Sequence, residues 1–278
     1  MVLRLKHGTL KAQETIHLKR QRLASRRKCM GNGTLAWPKW TDLKLQGCYI
    51  NLMFQSTEVQ NVARAAIDSM IHDILFNKAY PHKADCLATS CQNMKIIAKC
   101  IDAPHEQNYF EGLYGIPNKC LNNFNSDLKS IVNNSLSSFY HSDIQEYKTM
   151  KLSEINDLKI YIFPLKPENK QPDGSQPYQH PSLIKILRDC FVRFKLFDKY
   201  KSSFPVYNGQ TEVPRGFIAY LATILHILLM DKISNEDNKE NMQLASVTYE
   251  EHLNVLEALE KKKKAHYHNT MSIFDKAT

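Results

Sequence analysis

"TEVPRGFIAYLATILHILLMDK" (Thr211–Lys232) is the stretch on which the fold turns. From Phe217 to Met230 fourteen residues run almost wholly apolar, interrupted only by Thr223 and His226. That length falls short of the roughly 20 apolar residues a membrane-spanning helix needs. A helix that is apolar on every side belongs in the middle of a soluble body. The stretch therefore reads as a central buried helix, with Pro214 at its start, where a missing N–H costs nothing.

Working outward, the neighbouring segments carry the spacing of one-faced helices. In "STEVQNVARAAIDSMIHDILFN" (56–77) apolar residues recur three and four apart at 59, 62, 63, 66, 67, 70, 71, 74 and 75. Ser56 or Thr57 is placed to cap its first turn, and Pro81 ends it. A second helix is expected over Ala84–Ile101, and a third over 125–140 with Leu128, Ile131, Val132 and Leu136 on one side. A short helix or turn is expected over 142–155. "LKIYIFPLK" (158–166) reads as extended chain crossing the body, because a lone strand has nothing to pair with. "QPYQHPSLIKILRDCFVR" (176–193) reads as a turn, a His-Pro start and a helix with Pro181 at its first position. The last helix is expected to begin at Thr248, whose pairing with Glu251 has the pattern of a capping box. Leu253, Leu256 and Leu259 would line its inner face, and Glu257 and Glu260 stand four residues before Lys261 and Lys264.

The expected fold class is all-α: a single globular domain of six to eight helices over residues 55–278. A basic arm (1–30) and a connector (31–54) that holds Trp37 and Trp40 precede it. Nine glycines in 278 residues, with 43% apolar content, suit such a body and are few for a sheet-rich or phosphate-looping enzyme.

Charge separates the arm from the body. Residues 1–30 carry nine Lys or Arg against Glu14 alone, a net of +8. The other 248 residues hold 28 basic and 27 acidic side chains, so nearly the whole formal charge of +9 sits in the arm. Attraction to polyanions is expected from there. "HLKRQRLASRRK" contributes Lys19, Arg20, Arg22, Arg26, Arg27 and Lys28, two clusters split by a short spacer. Such a pattern fits phosphate contact and a nuclear localisation signal. A passive solubilising tail fits about as well. A mitochondrial presequence fits less well, given the lysines and few serines.

Seven cysteines leave one unpaired however they combine, and no apolar segment follows the start "MVLRLKHGTLK". Free thiols in a reducing intracellular compartment are the expectation, the nucleus before the cytoplasm.

The ordered blocks "ARAAIDSMIHDILFNKAYP", "SLSSFYH", "IFPLKPENKQPDGSQPYQHPSLIKILRDCF", "EVPRGFIAYLATILHILLMD" and "SVTYEEHLNVLEALEKKKKAHYHNTMSIF" resemble a domain family of unknown function abundant in mushroom-forming fungi. The resemblance runs over about 60–278 and rests on block order and on "PYQHP". It implies a shared architecture and carries no catalytic residues with it.

Each chemical candidate has a plainer reading. His180 is a candidate general base, with Asp189 or Tyr178 as partner, yet a polar side chain before a helix more often satisfies turn groups. His226, inside an apolar helix, reads as a satisfied core histidine, with Thr223 or a neighbouring helix as its partner. Cys86, Cys91 and Cys100, with His82 and His105, suggest zinc. At about 100° per residue, however, Cys91 lies roughly 140° from Cys86 and Cys100 roughly 40° away on the other side, too splayed for one tetrahedral ion. His266 and His268 point nearly opposite ways on a helix. Lysines 261–264 cover about 300° of a helix and read as a solvated end. No phosphate-loop, dinucleotide, zinc-protease or nucleophile-elbow motif is present. The expectation is a non-enzymatic interaction module with no cofactor and no metal, nucleic acid being its partner through the arm. The alternatives are a helical enzyme with a pocket near His180 and a homotypic assembly domain paired through its final helix.

Overall fold

A computed structural model describes residues 45–46, 49–77, 79, 83–100, 113, 115–139, 160–164, 166–168, 172–234 and 242–272. All lie in the second of the two units into which the backbone divides, Lys44–Thr278. The expected fourth helix at 142–155, the tryptophans and the arm lie outside the described residues.

Helix α1 (Thr57–Phe76) starts where Ser56 accepts the amide of Val59 at 3.4 Å, satisfying one of the first-turn donors that have no partner within the helix. Its buried face is Val59, Val62, Ala63, Ala66, Met70, Ile74 and Leu75, as the spacing requires. Helix α2 (Lys83–Cys100) follows. Helix α3 (Gly115–Phe139) begins ten residues before the expected 125. Pro117 does not stop it, because the third helical residue has no intrahelical acceptor for an N–H in any case. Ile116, Leu121, Phe124, Leu128, Val132 and Leu136 then lie on one buried face.

Helix α4 (Pro181–Phe194) ends at Lys195, whose backbone is left-handed (φ 50°, ψ 41°) and turns the chain into the short α5 (Leu196–Tyr200). Helices α6 (Arg215–Ser234), α7 (Met242–Lys262) and α8 (Lys264–Met271) complete the body. The only sheets among the described residues are two antiparallel hairpins of two-residue strands, β1 (Leu45–Gln46) with β2 (Tyr49–Ile50) and β3 (Val206–Tyr207) with β4 (Gln210–Thr211). The body is all-α.

Helix α6 is the centre. It packs against α1, α3, α4, α7 and the 3-10 turn Ile160–Ile162, and every residue from Gly216 to His226 is buried. Each fully enclosed leucine there, such as Leu221 or Leu225, contributes about 1.5–3 kcal/mol of burial. Gly216 permits a close approach: a Cβ at that position would stand 3.3 Å from the Tyr249 hydroxyl and 3.5 Å from the Leu75 carbonyl. Tyr220 on α6 donates to Asn125 on α3 at 2.7 Å.

Three local expectations need correction. Thr248 caps nothing, because α7 begins six residues earlier at Met242 and Thr248 lies buried in its interior. Glu257 and Glu260 reach across to Arg215 on α6, at 3.5 and 3.2 Å. The helix breaks at Lys263 (φ −141°, ψ 59°), so no helical turn joins Glu260 to Lys264. The 158–166 segment is not extended throughout: its centre tightens into the 3-10 turn, which presses Tyr161 and Ile162 into the core.

Candidate functional site

The 176–181 turn is built from residues with structural tasks. Asp173 organises the approach, its carboxylate accepting the Ser175 backbone amide at 3.0 Å, the Ser175 hydroxyl at 2.6 Å and the Gln176 side-chain Nε2 at 3.0 Å. The Ser175 hydroxyl and amide hold its carboxyl below the usual value. Pro177 is buried. Tyr178 adopts a left-handed backbone (φ 62°), which costs an L-residue about 1–2 kcal/mol and turns its ring into the core.

His180 is the N-cap of α4. Its Nδ1 accepts the Ser182 amide at 3.2 Å and lies 2.6 Å from the Ser182 hydroxyl. The side chain is spent on an amide of the first turn, and the residue is only 7% exposed. Neither proposed acid–base partner joins it. Asp189 pairs with Lys185 at 2.7 Å on the surface of α4, and Tyr178 bonds a different histidine.

That histidine, His252 on α7, is the residue the sequence reasoning missed. It is wholly enclosed (0% exposed), between Tyr161 (0%) and Tyr178 (1%). The Tyr161 hydroxyl lies 2.9 Å from Nε2, and the Tyr178 hydroxyl 3.0 Å from Nδ1 and 3.3 Å from the His252 carbonyl. A neutral imidazole has one donor and one acceptor nitrogen. With the proton on Nδ1, Nδ1–H donates to Tyr178, Tyr178 donates to the carbonyl and Tyr161 donates to Nε2. Every polar atom of the trio then has a partner. Desolvation pushes the Tyr178 hydroxyl far above its usual value, so it stays protonated. His226 on α6 extends the cluster, its ring 5.2 Å from that of Tyr161, while Thr223 donates to the Ala219 carbonyl at 2.8 Å. The signal for His252 was available: with Tyr249 and Leu256 it stands three and four residues apart, on the buried face of one helix.

A second polar cluster joins the β3–β4 hairpin to α8. His268 Nδ1 lies 2.6 Å from Glu212 Oε1, both side chains largely buried. The Tyr207 ring stacks parallel on His268, and the Lys264 ammonium stands 5.6 Å above Tyr207. His266 is not part of this arrangement, in keeping with the opposed directions expected for it and His268.

The backbones of Cys86, Cys91 and Cys100 lie on one continuous helix, α2. Cys91 is half-buried; the side chains of Cys86 and Cys100, and residues His82 and His105, lie outside the described residues. Among the described residues no group of three or more His, Cys, Asp or Glu side chains is placed to hold a metal. Cys190 is sealed in the core, where desolvation raises its thiol well above the ordinary range. No helix among the described residues is long and apolar enough to cross a membrane. The arm residues Lys19, Arg20, Arg22, Arg26, Arg27 and Lys28 lie outside the described residues.

Residues 65–259 match the model of one family, Domain of unknown function (DUF6532). The match spans well over half of the chain, which therefore belongs to that family. It takes in the 176–181 turn, α6 and His252, and excludes the arm and α8. No curated protein and no solved structure matches the chain.

Proposed function

We propose that this member of the DUF6532 family is a non-enzymatic helical interaction module whose basic arm supplies sequence-independent affinity for nucleic acid. The distribution of charge carries the reading: a net of +8 within thirty residues beside a body near neutrality. Cations so crowded gain by meeting phosphates, since each contact releases condensed counterions. The body supports the reading from the other side. His180 and His252, the groups best suited to acid–base chemistry, are occupied in holding a helix start and a core contact. The two clusters of the arm also fit nuclear import, which supports a nuclear location in this reading. Kinship with proteins of mushroom-forming fungi, with "PYQHP" as its signature, belongs to the same proposal.

The test replaces Lys19, Arg20, Arg22, Arg26, Arg27 and Lys28 with Gln in the full chain and measures binding to a mixed-sequence DNA duplex. The arm's net charge drops from +8 to +2, so binding should fall steeply while the helical content stays unchanged. Undiminished binding would remove the arm from the account.

A further inference from the structure

Where α4 turns into α5 the surface encloses a concavity of about 310 Å³, the size that takes a small organic molecule. Its apolar walls are Ile71, Phe124, Phe194 and Leu196, and its rim bears Arg193, Lys195 and Lys199. Phe124 and Phe194 stand 4.7 Å apart and tilted by 56°; Phe124 is almost wholly covered, and the half-buried Phe194 is the ring open to a flat guest. On the far side Tyr200 is fixed by donating to the Asp68 carbonyl at 3.1 Å.

The rim is unevenly charged. Lys199 meets Asp68 at 3.4 Å, whereas Arg193 and Lys195 have no acidic partner among the described residues. The carbonyl end of α4 adds about half a negative charge here, which two cations outweigh. Lys195 is also unusual in its backbone: at φ 50° the residue that best suits a helix end of this kind is glycine. A lysine held there accepts strain at a position that lines the concavity.

We infer that this concavity binds an organic anion with a flat apolar body, an aromatic carboxylate in its simplest form. The ring lies against Phe194 and Ile71, and the carboxylate meets Arg193 and Lys195 at the mouth.

Equilibrium dialysis of the full chain against 2-naphthoate, with 2-naphthylmethanol and acetate as comparators, tests the inference. Saturable one-to-one binding of naphthoate is expected, stronger than that of the neutral alcohol, with acetate unbound. Lys195→Gly removes the cation and relieves the left-handed backbone, so loss of fold does not explain its effect. It should weaken naphthoate about three- to fivefold, the size of a partly exposed ion pair, and leave the alcohol unchanged. Ile71→Trp, which fills the concavity, should abolish both, with thermal melting confirming a folded chain. Equal binding of acid and alcohol, naphthoate binding indifferent to Lys195→Gly or to Ile71→Trp, or no saturable binding at all would each overturn the inference.

Discussion

Tyr178→Phe isolates the enclosed histidine cluster from everything around it. The phenyl ring fills the same space, and the left-handed backbone at φ 62° stays as it was, so packing and strain cancel in the comparison. With the proton on Nδ1, the change leaves the Nδ1–H of His252 without its Tyr178 acceptor and the His252 carbonyl without its 3.3 Å donor, in a site with no exposure. A hydrogen bond contributes about 1 kcal/mol net, and a buried donor left without a partner costs about 1–3 kcal/mol. The expected loss is therefore about 2–4 kcal/mol, read as a drop in the urea midpoint by far-UV circular dichroism with an unchanged slope. Tyr161→Phe leaves only an acceptor unmatched and should cost less. Because both hydroxyls act through one ring, the double variant should lose less than the sum of the singles. A loss below about 0.5 kcal/mol for Tyr178→Phe, the level of an ordinary surface change, would refute the claim that His252 is clamped from both sides.

His180→Ala should cost about 1 kcal/mol and His180→Asn much less, since asparagine serves as well at an N-cap; equal losses in thermal melts would deny the capping role. Gly216→Leu should destabilise by about 1–3 kcal/mol or more through overpacking against Tyr249 and Leu75, measured by denaturant unfolding, and a neutral result would mean the α6–α7 contact is looser than described. Burial pushes the Tyr267 hydroxyl from 10.0 up to about 12, and Tyr178, Tyr200, Tyr220 and Tyr249 are raised as well. The folded chain then keeps protons that the unfolded chain releases, so stability is intact below pH 10 and is lost as pH rises toward 12. Ultraviolet titration should show these tyrosines ionising together with unfolding, and gradual ionisation in a folded chain would contradict their burial.

The architecture was legible where burial is one-sided or total. Helix α1 was marked by its three-four spacing and by Ser56, and α6 by a run too apolar for any surface and too short for a membrane. The start of α3 was hidden by Gly115 and Pro117, residues that suggest a break unless a first turn is considered. The start of α7 was misplaced because Thr248 and Glu251 imitate a cap within a longer helix. Asn208–Gly209, with φ of 50° and 79°, carries the signal of a tight hairpin turn, which an all-helical expectation passes over. His180 was assigned the right role from its place before Pro181. His252 escaped because its significance lies in Tyr161 and Tyr178, which are 91 and 74 residues away in sequence; local spacing cannot bring such partners together. The concavity at the end of α4 escaped for the same reason, its walls coming from α1, α3, α4 and α5.

The arm's contribution is most directly tested by the salt dependence of duplex binding by the full chain. If five of its cations meet phosphates, log affinity falls against log salt with a slope near −4.5, at ~0.9 per contact. A slope near zero, with affinity retained at high salt, would mean that the arm does not hold the nucleic acid.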